Sequence, residues 1–597
     1  MAQPDPADQA HSEQIYVPQP GEQGLTPRAV FVGCLLGGAV SGMNIYFGLR
    51  TGWAIGGSLI AAILGFAVFA AIKPKTPYTV LEANITQTSG SAAGTMTSAA
   101  GLLAAIPAMG MLGHELTYLQ LTAWALAVAY LGVFFAVPLR RQMVLVEKLR
   151  FPTGTATAET IVAMFSEGAT AVEKAKVLLR WGVMAAVFTQ AAFWISPLGH
   201  PPLEEWLPIA FIGTMAAYSF SLYISPLMFG AGILIGPRVA TSLVLGATFS
   251  WGVLAPYVES QGWVAGPTMS YAEGARGWIL WPGVAIMVAD ALTSLGLSWR
   301  TVLNTFSGFG KGDDDGPKVD LAQAIPNSWW MIGLAIGSCA TLVVAKAVFE
   351  IPMMHSAIAV ALSSVLAMIA VRSTGETDIN PIGGMGKVTQ LVFGGIAPGA
   401  MTTNLMAAAV AGAGASQAGD MMQDLKTGHM LGASPRQQFK AQCVGILAGV
   451  LTAIPIYVLF DKAYTIGEGD LPAPAAHAWK AMAELLSQGF EALPTNAEAA
   501  VVAGFLFGVA VPVLRKHVPL MAKWLPSGLA FGIAFIVPAY YSISMFIGMV
   551  IFQAWRRNNL SKADAFGFSI ASGLIAGEGL MGILVAIQTL LGMKALI

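Results

Sequence analysis

Apolar runs close to the length of a bilayer recur along almost the whole chain, separated by short polar or Gly/Pro-bearing interruptions. About 20 helical residues cross the hydrocarbon layer. The runs 27–48, 54–72, 82–107, 117–138, 177–195, 207–224, 239–257, 278–299, 328–349, 354–371, 437–461, 497–514 and 566–593 therefore predict membrane-spanning helices. Four further apolar pieces, 152–168, 225–237, 385–418 and 525–553, are too short, too long or too interrupted for one straight span, and predict re-entrant hairpins or broken helices. The fold class is an all-α polytopic membrane protein.

Charge sorts the connections. Short loops rich in Lys and Arg stay cytoplasmic, which places 73–79, 139–150, 300–318, 434–440, 515–523 and 556–562 inside and the acidic or neutral loops 196–206, 258–277 and 462–496 outside. A cytoplasmic N-terminus satisfies this if the four awkward pieces return to the side they left. Arg50 dissents, and Arg238 fits either side. Residues 1–26 are rich in Pro, Gln and acidic groups without an apolar core, which excludes a cleaved secretory signal and predicts a disordered cytoplasmic tail. The expected organisation is a first transmembrane half at 27–300, a cytoplasmic linker at 301–327 and a second half at 328–597, with an extracytoplasmic segment at 461–497 carrying an amphipathic helix from His477 to Leu486.

Composition agrees with the pattern: 55% hydrophobic and 11% charged residues over 597 positions describe a multi-span membrane protein rather than a soluble one with an anchor. A net charge of -1 and no basic tail exclude a nucleic-acid partner. Cys34, Cys339 and Cys443 each sit in an apolar run without metal-ligand spacing, and His114, His355 and His429 are scattered, so neither a disulfide, a metal centre nor a cofactor is indicated. The Gly310–Gly316 segment lacks the ligand spacing of a calcium or nucleotide loop and reads as a solvated linker.

One stretch breaks the apolar pattern most sharply. From Gly375 through Glu376, Asp378, Asn380, Pro381 and Lys387, on to Gln390, Asn404, Gln417, Asp420 and Lys426, ionisable and amide side chains are interleaved with glycines between apolar neighbours. Hydrocarbon offers peptide groups no partners, so non-helical chain at depth must be packed in protein or line a wet cavity. The stretch is thus either a solute site on a discontinuous helix or a long cytoplasmic loop.

The run Gly375 to Met385, Lys387-Val388-Thr389-Gln390, Asn404-Leu405-Met406, Gln417 to Gly428 and Ser434-Pro435-Arg436 resembles the oligopeptide transporter family. Asn44 to Leu49, Glu82-Ala83-Asn84-Ile85 and Phe151 to Ala156 extend the resemblance over roughly residues 27 to 595. The asparagine-proline-glycine motif of the eukaryotic peptide branch is missing, Asn380-Pro381-Ile382-Gly383 standing in its place, and the chain looks closer to the yellow-stripe-like branch and its bacterial relatives. The resemblance implies a secondary active transporter in a bacterial inner or plasma membrane, taking oligopeptides or metal complexes of amino-acid-derived chelators. It also implies about 16 transmembrane or re-entrant segments and a homodimer with a static scaffold and a moving transport part.

Asn84 and Asn404 each precede a Gly by ten residues in a small-residue helix, hinting that the halves echo each other. Close helix packing explains the same glycines. Solute contacts are expected from Asn44, Asn84, Asn380, Lys387, Gln390, Asn404 and Gln417, with helix capping as the competing role for the asparagines and neutralisation of Asp378 as that for Lys387. A buried acid can titrate with substrate binding. Glu82, Asp290, Glu376, Asp378, Asp420 and Glu578 are the candidates for coupling transport to protons, and Glu578 would otherwise be a buried acid bonded to a Ser or Asn. A channel-like passive pore for small polar solutes is the alternative. An enzyme is not expected, because no nucleophile, base or metal set stands out.

Overall fold

In a computed structural model the chain is described at residues 13–166, 168–202, 210–297, 323–518 and 520–593. The described residues are helical, with no strand. The longer elements are α1 Pro27–Thr51, α2 Ser58–Ile72, α3 Val80–Gly94, α4 Ala105–Met111, α5 Tyr118–Arg140, α6 Pro152–Ser166, α7 Gly168–Trp194, α8 Ala210–Ala217, α9 Pro226–Phe249 and α10 Ala275–Leu297. They continue with α11 Asn327–Phe349, α12 Met353–Thr377, α13 Ile382–Ile396, α14 Met401–Met430, α15 Pro435–Ala463, α16 Pro474–Gln488, α17 Glu498–His517, α18 Gly528–Ile533, α19 Ala539–Asn558 and α20 Leu560–Leu590. Ten helices among the described residues are long and apolar enough to cross a membrane. Several other pieces are half-length, and length alone does not make them crossings.

Local chemistry sets the ends. Thr26 caps α1 by accepting from the Ala29 N–H, Pro27 occupies the first turn, and Gly52 ends the helix at φ 81. Thr79 and Glu82 form a reciprocal capping box on α3.

Several expected spans are divided. The run 82–107 is interrupted after Gly94 and again around Gly101 at φ 74 before α4 begins. The piece 385–418 splits at 397–400, with Gly399 at φ 80, and 525–553 splits into α18 and α19. Among the described residues of 207–224, the short α8 is followed by non-helical chain. The pieces 225–237 and 239–257 follow one another in α9 across a kink at Gly236 and Pro237, a broken helix, which is one of the two forms expected there. Helix α12 absorbs Gly375 to Thr377.

Residues 13–26, expected as a disordered tail, are held on the bundle: Glu13 pairs with Lys426 at 3.1 Å, Ile15 N–H donates to the Met430 carbonyl at 2.9 Å, and Leu25 N–H donates to Gln437 Oε1 at 3.1 Å. Residues 1–12, 301–322 of the linker and the Gly310–Gly316 segment lie outside the described residues.

Element lengths recur in order. Helices of 25 and 15 residues precede an interrupted or glycine-rich helix at 27–111 and again at 353–430, and a 15-residue helix later follows a 29-residue one in both stretches. The two series run in opposite directions. The start of α1 lies beside α15's start through Leu25 and Gln437, whereas the end of α12 lies beside the 147–153 turn through Arg372–Glu147 and Phe151–Gly375. Helices of the two stretches interlock: α7 packs along α20, α9 along α19 and α10 along α17, with glycines such as Gly182, Gly577, Gly232, Gly548 and Gly508 at the crossings.

Candidate functional site

The interior is organised by a strip of non-helical chain. After Gly52 the backbone runs through 53–57 before α2 begins. Asn44, fully buried on α1, holds this strip: its Nδ2 donates to the carbonyls of Ile55 (2.9 Å) and Gly94 (3.1 Å), and its Oδ1 accepts from the Ile55 N–H (2.9 Å). Both amide donors and one acceptor position are engaged with backbone, so Asn44 shapes the site by holding this strip.

Trp53, Ala54, Ile55 and Gly56 form one wall of a cavity of about 580 Å³. Ala231, Leu234, Ile235 and Val239 on either side of the α9 kink, together with Ser527, Leu529, Ala530, Phe47 and Phe568, complete it. Its surface is mostly apolar with a small polar part, and Ser527 is its one polar side chain apart from the Trp53 indole. Such a mixture suits a solute that carries its own amide or chelate polarity.

In the last turn of α1, Arg50 meets Glu578 of α20 at 3.2 Å. Both are buried. Ser225 Oγ donates to the Glu578 carboxylate (2.8 Å) and the Leu227 N–H donates to Oε2 (2.9 Å), so the carboxylate sits on the N-terminus of α9, where peptide dipoles favour negative charge. Arg50 Nη1 also donates to the Tyr223 hydroxyl (2.5 Å), and the guanidinium lies 4.5 Å from the Tyr46 ring centroid. The expectation that Glu578 bonds a nearby Ser holds, with an arginine added. Arg50 therefore belongs to the interior, which removes the objection it raised as a loop charge.

A second polar group lies where α3 meets α14. Gln87 Nε2 donates to Asn84 Oδ1 (3.2 Å) and Thr88 Oγ1 (3.0 Å), Gln417 Nε2 donates to Thr95 Oγ1 (3.1 Å), and Ser58 Oγ lies 3.4 Å from Asp424 Oδ1. Gln438 from α15 donates to the Asp424 carbonyl at 2.6 Å. Asn84 and Gln417 thus lie along one seam, beside Gln87 and Thr95 respectively.

The other candidates lie apart. Glu82 is buried at the start of α3, bound by Arg28 (2.5 Å) and Thr26 (2.5 Å) as well as by its own capping box. Glu376 and Asp378 are exposed. Glu376 pairs with Arg372 (3.0 Å), which also holds Glu147 (2.5 Å), and Asp378 accepts from the Thr153 N–H (2.9 Å) and hydroxyl (2.8 Å). Lys387 is buried and interacts electrostatically with Asp290, where Asp378 was the expected partner. Asn380 ties its loop to α14 through the Ala415 carbonyl (2.9 Å). Gln390 donates to the Trp479 carbonyl (2.9 Å) and Asn404 to the Gln390 carbonyl (2.7 Å), which fastens α13, α14 and α16 together. Glu376 and Asp378 therefore share no cavity with Glu578.

The sequence reading missed Ser225, Tyr223, Gln87, Thr95 and Trp53 as contributors. For Ser225 a signal was present, because Ser-Pro before an apolar run is a helix start.

At the end carrying loops 258–277 and 462–496, His477 of α16 stacks on Tyr271 at 3.9 Å and its Nε2 meets the Gly467 carbonyl at 2.9 Å. Burial pushes the imidazole down to about 4. Helix α16 buries the face containing Ala476, His477, Ala478, Trp479, Ala481, Met482 and Ala483.

The family model of the OPT oligopeptide transporter protein matches residues 24–589. A Saccharomyces cerevisiae protein, YGL114W, whose name describes an oligopeptide transporter, is 27% identical over 95% of this chain and 96% of its own length. Two Arabidopsis thaliana proteins, metal-nicotianamine transporters YSL2 and YSL1, are each 26% identical and cover 94% and 99% of this chain and 93% and 94% of their own lengths. With a match that spans nearly the entire helical bundle, strip and cavity included, the chain belongs to the OPT oligopeptide transporter family.

Proposed function

We propose that this protein is a proton-coupled secondary active transporter of oligopeptides or of metal chelates of amino-acid-derived ligands, and that the solute occupies the cavity beside residues 53–56. The observation that carries the reading is the strip itself: non-helical backbone in a membrane interior is tolerated where it is packed in protein or lines a cavity, and residues 53–56 wall one. The relatives named for peptide and metal-nicotianamine transport support the two substrate classes. Basic loops 73–79, 139–150 and 434–440 gather at the end that holds the start of α1, which supports a cytoplasmic N-terminus. Of the acids considered for coupling, Glu578 and Asp420 are favoured by their positions in the interior.

The test is uptake by reconstituted vesicles of a peptide panel and a metal-chelate panel, with and without an inward proton gradient. Saturable, gradient-stimulated uptake that Ala231→Trp abolishes by filling the cavity is expected. Flux that rises linearly with solute and ignores the gradient would instead indicate a passive pore.

A further inference from the structure

The oxygen-rich group between α2, α3 and α14 is not part of the cavity wall and has a composition of its own. Asp420 and Asp424 stand one turn apart on α14, so their carboxyls share a face. Asp424 is 1% exposed, and its Oδ2 has no hydrogen-bond partner. Gln417 and Gln87 are fully buried, and each uses its Nε2 on a neighbour while its Oε1 is left unpartnered. Ser58 Oγ lies 3.4 Å from Asp424 Oδ1, and Thr95 Oγ1 accepts from Gln417, one turn before Asp420 on α14. Among the described residues no Lys, Arg or His acts on either carboxyl, and the charged group acting on Asp424 is Asp420 itself.

Two like charges side by side in an interior are untenable, and buried acceptors without donors cost free energy. A proton supplies a donor to one oxygen pair and leaves the amide oxygens as they were. A small cation serves several oxygens at once, and carboxylate, amide carbonyl and hydroxyl are hard ligands without the nitrogen or sulfur that transition metals select. One monovalent cation together with one retained carboxyl proton makes the pair neutral. Asp420 is only half-buried, which leaves the group an entrance.

We propose that Asp420 and Asp424, with Gln417, Gln87, Thr95 and Ser58, form a sodium-ion site. Ser58 opens α2 directly after the strip that walls the cavity, and Gly57 lies against Gly90 and Ser91. An ion held there ties the strip to α3 and α14, so sodium occupancy and cavity shape are linked. That consequence rests on the transport reading; binding does not.

The test is the melting temperature of the purified full chain in detergent at constant ionic strength, with sodium, potassium, calcium, magnesium or choline chloride, alongside equilibrium binding of radioactive sodium. Sodium is expected to raise the melting temperature saturably where choline and potassium do not, and Asp424→Asn to abolish the rise. If Asp424→Asn does not fold, Ser58→Ala is expected to weaken sodium binding several-fold while leaving the choline melting temperature near wild type. Equal melting in sodium and choline, an equal rise with potassium, a rise confined to calcium or magnesium, or a sodium response that survives both substitutions overturns the assignment. Sodium binding with no uptake of any solute would sink the transport reading and leave the ion site standing.

Discussion

Arg50 and Glu578, 528 positions apart in sequence, form an ion pair at 3.2 Å that joins the end of α1 to the middle of α20. Removing one partner strands the other charge in the interior, a loss of about 3–5 kcal/mol. Glu578→Gln or Arg50→Ala is therefore expected to lower the denaturation midpoint sharply, the loss on Arg50→Ala being moderated by Ser225 and the Leu227 N–H, which still hold the carboxylate. The pair Arg50→Ala with Glu578→Gln should be less destabilised than the sum of the single changes, measured as a double-mutant cycle in detergent. Additive losses would mean that the two side chains do not interact.

Asn44 acts on backbone alone, so its substitution tests the strip. Asn44→Ala leaves the Ile55 N–H and the carbonyls of Ile55 and Gly94 without their partner, at about 1–3 kcal/mol for each buried group left unsatisfied. The expected result is a lower melting temperature together with a raised KM for uptake, since the cavity wall at Trp53–Gly56 loses its tether. Asn44→Asp keeps the acceptor but sets a buried carboxyl against the Ile55 and Gly94 carbonyls, and is expected to lose at least as much stability as Asn44→Ala.

How far the sequence revealed this can be judged from the same residues. Periodic apolar runs exposed the helices because a bilayer demands length, and the Gly/Pro-marked breaks near 397–400 and 236–237 were visible as interruptions. The break after Gly94 was hidden: Ser, Ala and Gly continue through it, and what interrupts the helix is tertiary, including the hold of Asn44 on the Gly94 carbonyl. Charge in sequence did not reveal depth. Glu376 and Asp378 stand among glycines yet lie exposed at a helix end beside Arg372 and Thr153, whereas Arg50, which reads as a loop residue, is buried. Pairing across hundreds of residues decides these cases, and no local pattern encodes it.

His477 gives the stability a pH dependence of known sign. Its pKa falls from 6.5 to about 4 on folding through burial, so the unfolded chain binds the extra proton between those values. The group's contribution is fully present above about 6.5 and is lost as pH falls toward about 4, a loss of up to about 3 kcal/mol. His477→Gln should flatten that part of the stability-versus-pH curve. An unchanged slope between pH 6.5 and 4 in the variant would show that other groups produce it.

Two glycines four positions apart on α9 should respond for opposite reasons. At Gly232 a methyl group would run into the Met545 carbonyl on α19, backbone that cannot swing away. Gly232→Ala is therefore expected to force the helices apart, at about 1–3 kcal/mol or more, and to lower the melting temperature with little selectivity among solutes. At Gly236 the space is open, but φ is 76 and a non-glycine residue is strained there, by about 1–3 kcal/mol. That strain falls on the kink between Ile235 and Val239, both of which face the cavity. Gly236→Ala should therefore reshape the cavity wall and change the relative uptake of large and small solutes, measured as a ratio of kcat/KM values, while Gly232→Ala leaves the ratio near wild type. If the two variants shift the ratio alike, the kink does not shape the solute's space.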